Sequence, residues 1–445
     1  MIESAEFQGK TLIFYNEDVL PDQNVFTAIV GKNGTGKSRL LRSIIERNLK
    51  SYTDCVMHGA ESTDLPSNII AVSLSPFDRF PLGGVMGFSK GDPLVDESKD
   101  FYFYQGLRGL YTSNHSLSYM TKIVGALIRA MSTEAGRLGT VLNALEYLGF
   151  NKSIRVNFIC GMSRETLKRI ADNDGFDDYL ISNRRPGHEL KRLMLKLEGA
   201  PGKTAEVIEA IRYYLDKFNG ERVELPITEA GALRSLAGEP INELFATLLD
   251  YGVLKLRGVY LHKKGLNKEF KISDASSGEQ GVVLTMLGIA ARIKDGSLIC
   301  IDEPEICLHP EWQERYIELL LSTFKNFKSC QFLITTHSPQ IVSRLESENC
   351  FVLNLNANNL LNASDLNRRS IDFQLATVFN APGHKNEYLM RELLAIVSKI
   401  TRKVQLKNGD FEILSKAKSL KSNMTPSDPV LDLVLLLEEA LDGGK

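Results

Sequence analysis

Eight residues near the start of the chain have the types and spacing of a loop that binds phosphate. The loop is Gly31-Lys32-Asn33-Gly34-Thr35-Gly36-Lys37-Ser38, which fits the pattern GxxxxGK[ST]. Its glycines let backbone N–H groups approach a phosphate in conformations that a side chain would block. We expect Lys37 to reach the β- and γ-phosphates of a nucleotide and Ser38 to ligate Mg²⁺.

The segments on either side of this loop support that interpretation. Val25–Val30 is an apolar, β-branched run that predicts a buried strand. Ser38–Ile45 has the apolar spacing of a helix, whose N-terminus would direct the positive end of its dipole at the phosphates. The alternative is a glycine-rich turn that matches by chance, and the flanking strand and helix disfavour it.

Two further apolar strands are predicted, and each ends in residues that suit the same chemistry. Leu298–Ile301 leads into Asp302, placed to hold Mg²⁺ directly or through water, and Glu303, placed to polarise the attacking water as a general base. Cys330–Thr335 leads to His337, which would lie at the strand ends where ligands bind and could touch the γ-phosphate. The alternatives are a solvated acidic turn and a surface histidine.

A fourth motif precedes those two strands. Ser277, Gly278, Glu279 and Gln280 stand at the predicted start of an apolar helix. Ser and Gly at a helix N-terminus suit a γ-phosphate. An ordinary capped start, with Ser277 as N-cap and Gln280 at the third helical position, is the alternative and is compatible with phosphate binding.

In their order along the chain, the P-loop, the Ser277–Gln280 motif, the Asp302-Glu303 pair and His337 resemble the motifs of the ABC-class ATPases. This class includes transporter ATPase domains, the SMC, Rad50 and RecF group, and the overcoming-lysogenization-defect (OLD) family. The resemblance implies an α/β fold, an ABC-type P-loop head with a mixed β-sheet flanked by helices, and ATP and Mg²⁺ as cofactors. It also implies a dimer that sandwiches two ATPs, in which the Ser277–Gln280 signature of one subunit completes the P-loop site of the other.

Two positions depart from the family pattern. Glu305–Pro310 resembles OLD-like bacterial ATPases, but His309 stands where the family usually has Asp. The family's Q-loop glutamine has no clear counterpart, and residues 73–78 are its stand-in. Arg108 either senses nucleotide or pairs with an acid.

The spacing of the motifs predicts the domain organisation. About 240 residues separate Lys37 from Ser277, which is too long for a loop and requires a domain. We predict an N-terminal head lobe with the P-loop at 1–82, a mostly helical insertion at 83–270, a C-terminal head lobe at 271–345, and a C-terminal helical region at 346–445. The dense apolar run of the last helix, Asp428–Leu441, indicates either packing on two sides or a docking surface for a partner. In the insertion, helices are predicted at Leu117–Met131, Ala135–Leu148, Ala205–Phe218 and Pro240–Tyr251, with short strands at Ile154–Phe158, Arg222–Leu225 and Val253–Leu261.

Composition indicates a soluble, cytoplasmic protein. The net charge of −2 provides no global basic field for nucleic acid, so any such contact must be local. Residues 183–192, and Lys263 and Lys264 with Lys268, are the basic candidates, and a solvated surface is the alternative. No apolar run reaches the ~20 residues that a membrane helix needs. The six cysteines show no CxxC spacing, which is typical of reduced thiols.

Three functions remain open at this point. The first is an ATP-binding and ATP-hydrolysing subunit that regulates a partner effector, resembling the ATPases of anti-phage systems such as Septu, including retron-coupled ones, where the partner is an HNH nuclease. No Toprim pattern of Glu and Asp-x-Asp follows residue 340, so the chain itself is not expected to cut nucleic acid. The others are a RecF-like DNA repair or loading factor and a transporter ATPase subunit, in which the insertion would obstruct membrane docking.

Overall fold

The fold was analysed in a computed structural model. It describes residues 1–59, 64–82, 101–106, 108, 120–121, 123–129, 137–172, 187–198, 200, 202–229, 234–236, 238–265, 269–306, 308–345 and 348–442. The strands of these residues are β1 (Ser4–Phe7), β2 (Lys10–Ile13), β3 (Val25–Val30), β4 (Ile69–Ser73), β5 (Tyr102–Gly106), β6 (Phe150–Cys160), β7 (Arg222–Thr228), β8 (Leu254–Lys263), β9 (Glu269–Lys271), β10 (Leu298–Asp302), β11 (Gln331–Thr335), β12 (Cys350–Asn354) and β13 (Asn359–Asn362). The helices are α1 (Lys37–His58), α2 (Arg137–Tyr147), α3 (Arg164–Asp172), α4 (His188–Glu198), α5 (Thr204–Lys217), α6 (Glu243–Tyr251), α7 (Ser277–Ala290), α8 (Pro310–Phe324), α9 (Pro339–Ser343), α10 (Ile371–Thr377), α11 (Glu387–Thr401), α12 (Asn408–Ser419) and α13 (Pro429–Asp442).

A central sheet in the order β13-β12-β3-β11-β10-β4-β5 forms the head. Its neighbouring strands run parallel except for the β12–β13 pair, so the sheet is mixed, as predicted. Every residue of β3, β4, β10, β11 and β12 is buried. Burial of both faces explains why these strands are continuous apolar runs in the sequence. The α/β fold class is confirmed.

The sheet interleaves two distant parts of the chain. β3 and β4 precede the insertion, whereas β10 and β11, which follow it, lie between them. The carboxyl ends of these parallel strands therefore meet at one edge, where ligands bind in open α/β sheets. β5 and β12 also belong to this sheet, so its limits do not coincide with the domain boundaries predicted at 82 and 345.

The insertion is organised around a second sheet, antiparallel, in the order β7-β6-β8-β9. Burial alternates along β7, which is typical of a sheet with one face on a core. The buried face packs against helices, as in the edge-on contact of Phe158 with Phe245 of α6, 5.1 Å between ring centroids. α2, α5 and α6 occur where helices were predicted, and part of Leu117–Met131 lies outside the described residues. The strands are longer than predicted.

The C-terminal region has an apolar cluster of its own. It is formed by α11, α12 and α13, with Leu393, Val430 and Val434 fully buried. α13 packs on this cluster through one face, while Leu435 and Leu436 are 42% and 51% exposed. Among the described residues we find no helix with the length and apolar character that a membrane span requires.

Candidate active site

The Gly31–Ser38 loop connects the end of β3 to the start of α1. Gly34 and Gly36 have φ angles of 81° and 97°, in the left-handed region that favours glycine. A Cβ on Gly31 would lie 2.8 Å from the Thr35 hydroxyl oxygen. Lys32 and Asn33 are exposed at the tip of the loop. The backbone is thus folded as a cradle at a helix N-terminus, which is a ready site for anions.

Lys37 is the cation at the centre of this cradle. Its side chain is almost fully buried, and Nζ donates to the Gly31 carbonyl oxygen at 3.1 Å and lies 2.5 Å from His337 Nε2. Burial lowers the pKa of Lys37, and the nearby carboxylates of Glu303, Glu305 and Asp302 oppose that shift. A buried cation among acids is placed to exchange those partners for phosphate oxygens.

Asp302 brings the end of β10 to the loop. Its Oδ1 accepts hydrogen bonds from Ser38 Oγ at 2.9 Å and from Thr335 Oγ1 at 2.6 Å. Burial raises the pKa of Asp302. Ser38 and Asp302 are 264 residues apart in sequence, yet they form one pair of oxygen donors. A hydroxyl and a carboxylate are ligands that Mg²⁺ prefers, so the donor set fits this ion.

Glu303 and His337 form the second pair of the site. The Glu303 Oε1 to His337 Nε2 distance is 3.3 Å, and each side chain is about one-third exposed. The hydrogen bond to His337 lowers the pKa of Glu303, so its carboxylate is ionised in the neutral range. Glu303 has a φ of 48°, and its N–H donates to the Thr335 carbonyl oxygen at 3.1 Å. The turn after β10 is therefore anchored on the end of β11.

Glu305 was missed as a site residue. The sequence used it only for its resemblance to OLD-like ATPases, but its Oε1 accepts a hydrogen bond from the His337 N–H at 2.5 Å. Burial raises the pKa of Glu305. The available signal was a third acid directly after Asp302, Glu303 and a proline.

Ser277, Gly278, Glu279 and Gln280 begin α7, but the cap lies one residue earlier than predicted. Ser276 is the N-cap, and its Oγ accepts the Glu279 N–H at 3.2 Å, so the assignment of Ser277 as N-cap and Gln280 as third residue is wrong. Both serines are good caps, and the geometry selects the first. Glu279 accepts hydrogen bonds from the side chains of Lys263 and Ser276. Gln280 donates to the carbonyl oxygens of Ser273 and Ala275, and Ser277 is exposed.

The stand-in for the Q-loop follows β4. Ser73 is in register with Asp302 on the neighbouring strand. Asp78 is buried, accepts the Tyr104 hydroxyl at 2.5 Å, and lies 3.8 Å from the Arg108 guanidinium. Of the two alternatives for Arg108, the structure shows pairing with an acid.

The structure describes only part of the basic segments that are candidates for nucleic-acid contact. Residues 183–186 and Lys268 lie outside the described residues. Lys263 pairs with Glu279 at 2.8 Å and Lys264 with Glu146 at 3.0 Å. Both lysines therefore have acidic partners within the chain. His309 is exposed as the N-cap of α8, where its Nδ1 accepts the Glu311 N–H.

The Gly31–Ser38 loop has the P-loop sequence and connects a parallel strand to a helix, and acids and a histidine lie at the ends of adjacent strands. This combination defines the class of the P-loop ATPases. A family model described as "AAA domain, putative AbiEii toxin, Type IV TA system" matches residues 163–343.

Two curated relatives are retron proteins. The chain is 35% identical over 98 residues to the retron Ec83 probable ATPase of Escherichia coli, covering 20% of this chain and 18% of that protein. It is 30% identical over 97 residues to the retron Vc95 probable ATPase of Vibrio cholerae serotype O1 biovar El Tor, covering 19% and 18%. The matched segments thus span less than a fifth of each relative. These matches confirm the prediction of an ATPase that resembles retron ATPases.

Two solved structures are also similar. One is the Smc head domain of Pyrococcus furiosus with an extended coiled coil, bound to the C-terminal domain of ScpA, at 14% identity and a TM-score of 0.27, covering 77% of this chain and 91% of that one. The other is UvrA2 of Deinococcus radiodurans, at 14% identity and a TM-score of 0.24, covering 82% and 37%. Because both TM-scores are low, neither structure supports a conclusion about this chain.

Proposed function

We propose that this chain binds ATP with Mg²⁺, hydrolyses it in an ATP-sandwiched dimer, and through that dimer regulates a nuclease effector in an anti-phage defence system. One observation carries the catalytic part of the proposal. At the ends of three strands, Lys37, Glu303 and His337 form one group joined by close contacts, and Ser38 and Asp302, their neighbours in sequence, form a hydrogen-bonded pair.

Each of these side chains has a role that its surroundings support. Lys37 neutralises charge on the β- and γ-phosphates, and Ser38 and Asp302 would hold Mg²⁺, which neutralises charge on the same phosphates. Glu303 is a carboxylate at neutral pH, a form that its contact with His337 stabilises by lowering its pKa, and a carboxylate can accept a proton from the attacking water. His337 contacts both Lys37 and Glu303 and is placed to steady the γ-phosphate.

The dimer is supported by the position of the signature. Ser277 is exposed at the start of α7, where it can reach a phosphate on another subunit. The effector part of the proposal is supported by the likeness to retron probable ATPases and by the exposed leucines of α13 in the C-terminal region. An HNH nuclease is the partner that we expect.

The proposal is tested first with the Glu303→Gln variant. Removing a general base costs about 10²- to 10⁴-fold in rate, so this variant should bind ATP, hydrolyse it slowly and accumulate as a dimer. ATP turnover and light scattering with ATP provide the measurements. Glu314→Gln is the matched control, because Glu314 pairs with Arg344, directly after α9 and outside the site. Hydrolysis by Glu303→Gln at the normal rate would show that the base assignment is wrong.

A second pair of measurements separates dimer formation from catalysis and from effector binding. Ser277→Arg should leave ATP affinity unchanged and prevent the ATP-dependent dimer, since the bulky cation would occupy the exposed signature. A monomer for both Ser277→Arg and Glu303→Gln at saturating ATP would contradict the sandwich. Purification of Glu303→Gln from its native host with ATP should bring a nuclease in stoichiometric amount; recovery of DNA alone would favour the repair-factor alternative.

A further inference from the structure

The turn after β10 and the loop after β11 lie side by side because the two strands are parallel and in register. Asp302 stands opposite Thr335 at their carboxyl ends. The turn continues through Glu303 to Glu305, and the loop continues through Thr336 to His337. Proposed catalytic groups thus come from both segments, and their relative position decides whether the groups can act together.

Hydrogen bonds join these two segments at successive positions. The first acid, Asp302, accepts the Thr335 hydroxyl at 2.6 Å. The second, Glu303, donates its N–H to the Thr335 carbonyl oxygen at 3.1 Å. The third, Glu305, accepts the backbone N–H of His337 at 2.5 Å. This last bond holds the backbone of His337, whose imidazole contacts both Lys37 and Glu303.

The surroundings of Glu305 indicate that its carboxyl is kept in a buried position by its hydrogen bond with the His337 N–H. Burial raises its pKa, and the hydrogen bond from the His337 N–H is the largest influence that opposes this shift. A buried carboxyl costs free energy unless it is hydrogen-bonded. Charge-assisted hydrogen bonds from backbone N–H groups are short and strong, and they fix the orientation of the groups that they join.

We propose that Glu305 is a positioning residue for ATP hydrolysis, an inference that rests on the function proposed above. It holds the backbone of His337 so that the imidazole Nε2 stays 2.5 Å from Lys37 Nζ and 3.3 Å from Glu303 Oε1. The effect of Glu305 reaches the reaction through His337.

Three substitutions of Glu305 test whether its role requires a hydrogen-bond acceptor for the His337 N–H or a negative charge. Glu305→Gln keeps an oxygen that can accept the His337 N–H, Glu305→Asp keeps the charge but is one methylene too short, and Glu305→Ala removes both. Because a misplacement of about 1 Å can cost about 10²-fold in rate, Ala and Asp should lower kcat about 10- to 100-fold, and Gln by less than about 5-fold. The KM for ATP should change less than about twofold in all three, since Glu305 is proposed to affect the chemical step and not the binding of ATP.

A double variant separates positioning from general stability. If Glu305 acts through His337, then His337→Ala combined with Glu305→Ala should hydrolyse ATP as slowly as His337→Ala alone, because residues that act as a unit are not additive. Losses that multiply in the double variant would overturn the proposal, as would a wild-type kcat in Glu305→Ala. If Glu305→Ala does not fold, Glu305→Asp and its combination with His337→Ala decide the question in the same way, since Asp is expected to lower kcat as Ala does.

The same set of proteins distinguishes failure of this inference from failure of the proposed function. Slow hydrolysis by Glu303→Gln and His337→Ala with a normal Glu305→Asp would reject only the role of Glu305. Normal hydrolysis by Glu303→Gln and His337→Ala would reject the proposed catalytic site itself, and with it the inference. Thermal unfolding of each variant controls for loss of folded protein.

Discussion

The two sheets of the molecule present their side chains in opposite ways. In the central sheet, β3, β4, β10 and β11 are buried along their whole length. In the insertion sheet, β7 alternates between buried and partly exposed residues. Polar chemistry in the head is therefore confined to the strand ends, whereas the insertion sheet has a face on which polar side chains lie along the strands.

That partly exposed face holds ion pairs rather than a catalytic cluster. Arg155 on β6 donates to Glu269 on β9 at 2.9 Å, lies 3.3 Å from Glu224 on β7, and stacks over Tyr260 of β8, 4.3 Å from the ring centroid. These contacts join the four strands across their surface. The comparison indicates that the strands of the central sheet have charged side chains only at their carboxyl ends, while the insertion sheet spreads them over a face.

The largest effect should come from the edge of the central sheet. Lys37→Ala should lower ATP affinity about 10²-fold or more, because it removes the cation that pairs with the phosphates in a P-loop. Calorimetric titration with ATP and Mg²⁺ gives the measurement. Lys32→Ala is the control from the same loop, since Lys32 is exposed and should have a small effect. Equal affinity in the Lys37 variant and the wild type would contradict the phosphate-binding assignment.

A smaller effect, on the free energy of unfolding, should distinguish the buried faces of the two sheets from the partly exposed face of the insertion sheet. Ile301 on β10 and Leu225 on β7 are almost completely buried, and truncation of either to Ala should cost about 2–5 kcal/mol of unfolding free energy. Glu224→Ala, on the other face of β7, should cost less than about 1 kcal/mol, because its ion pair is near solvent. Urea denaturation measures all three. A cost for Glu224→Ala as large as that for Leu225→Ala would mean that the face is covered.

The smallest effect is the pH dependence of the insertion sheet. The hydrogen bond from Arg155 lowers the pKa of Glu269. A lowered pKa in the folded state stabilises the protein above the ordinary pKa of Glu, and this contribution is lost as pH falls through the folded value. Wild-type protein should therefore lose its stability advantage over Glu269→Gln as pH falls below the ordinary pKa of Glu, by less than about 1 kcal/mol. A difference in unfolding midpoint that stays constant down to strongly acidic pH would contradict this pairing.

The same contrast explains what the sequence could predict. β3, β10 and β11 of the head were predicted because burial on both faces leaves continuous apolar runs, and the P-loop was predicted because its glycines and lysine are local in sequence. Ser38 and Asp302 were each predicted as Mg²⁺ ligands from their motifs, and their side chains are in contact because parallel strand ends converge.

The missed features depend on contacts between distant residues or on choices between similar ones. The role proposed for Glu305 rests on a bond to His337, and no local pattern shows that bond. Ser276 and Ser277 are equally suitable caps by type. The strands of the insertion were predicted too short because their alternating, half-polar ends have weak apolar signals. β5 was not predicted as a strand, although it pairs with β4 at the edge of the central sheet.

The strand order of the head has a consequence for synthesis of the chain. β3, which carries the P-loop, pairs with β11 and β12, and both of these strands lie about 300 residues later in the sequence. At roughly 5 to 20 residues per second, β3 waits on the order of 15 to 60 seconds for its neighbours to be made. During translation, the apolar segment Val25–Val30 therefore needs a temporary shield, from a chaperone or from α1, before the nucleotide cradle can exist.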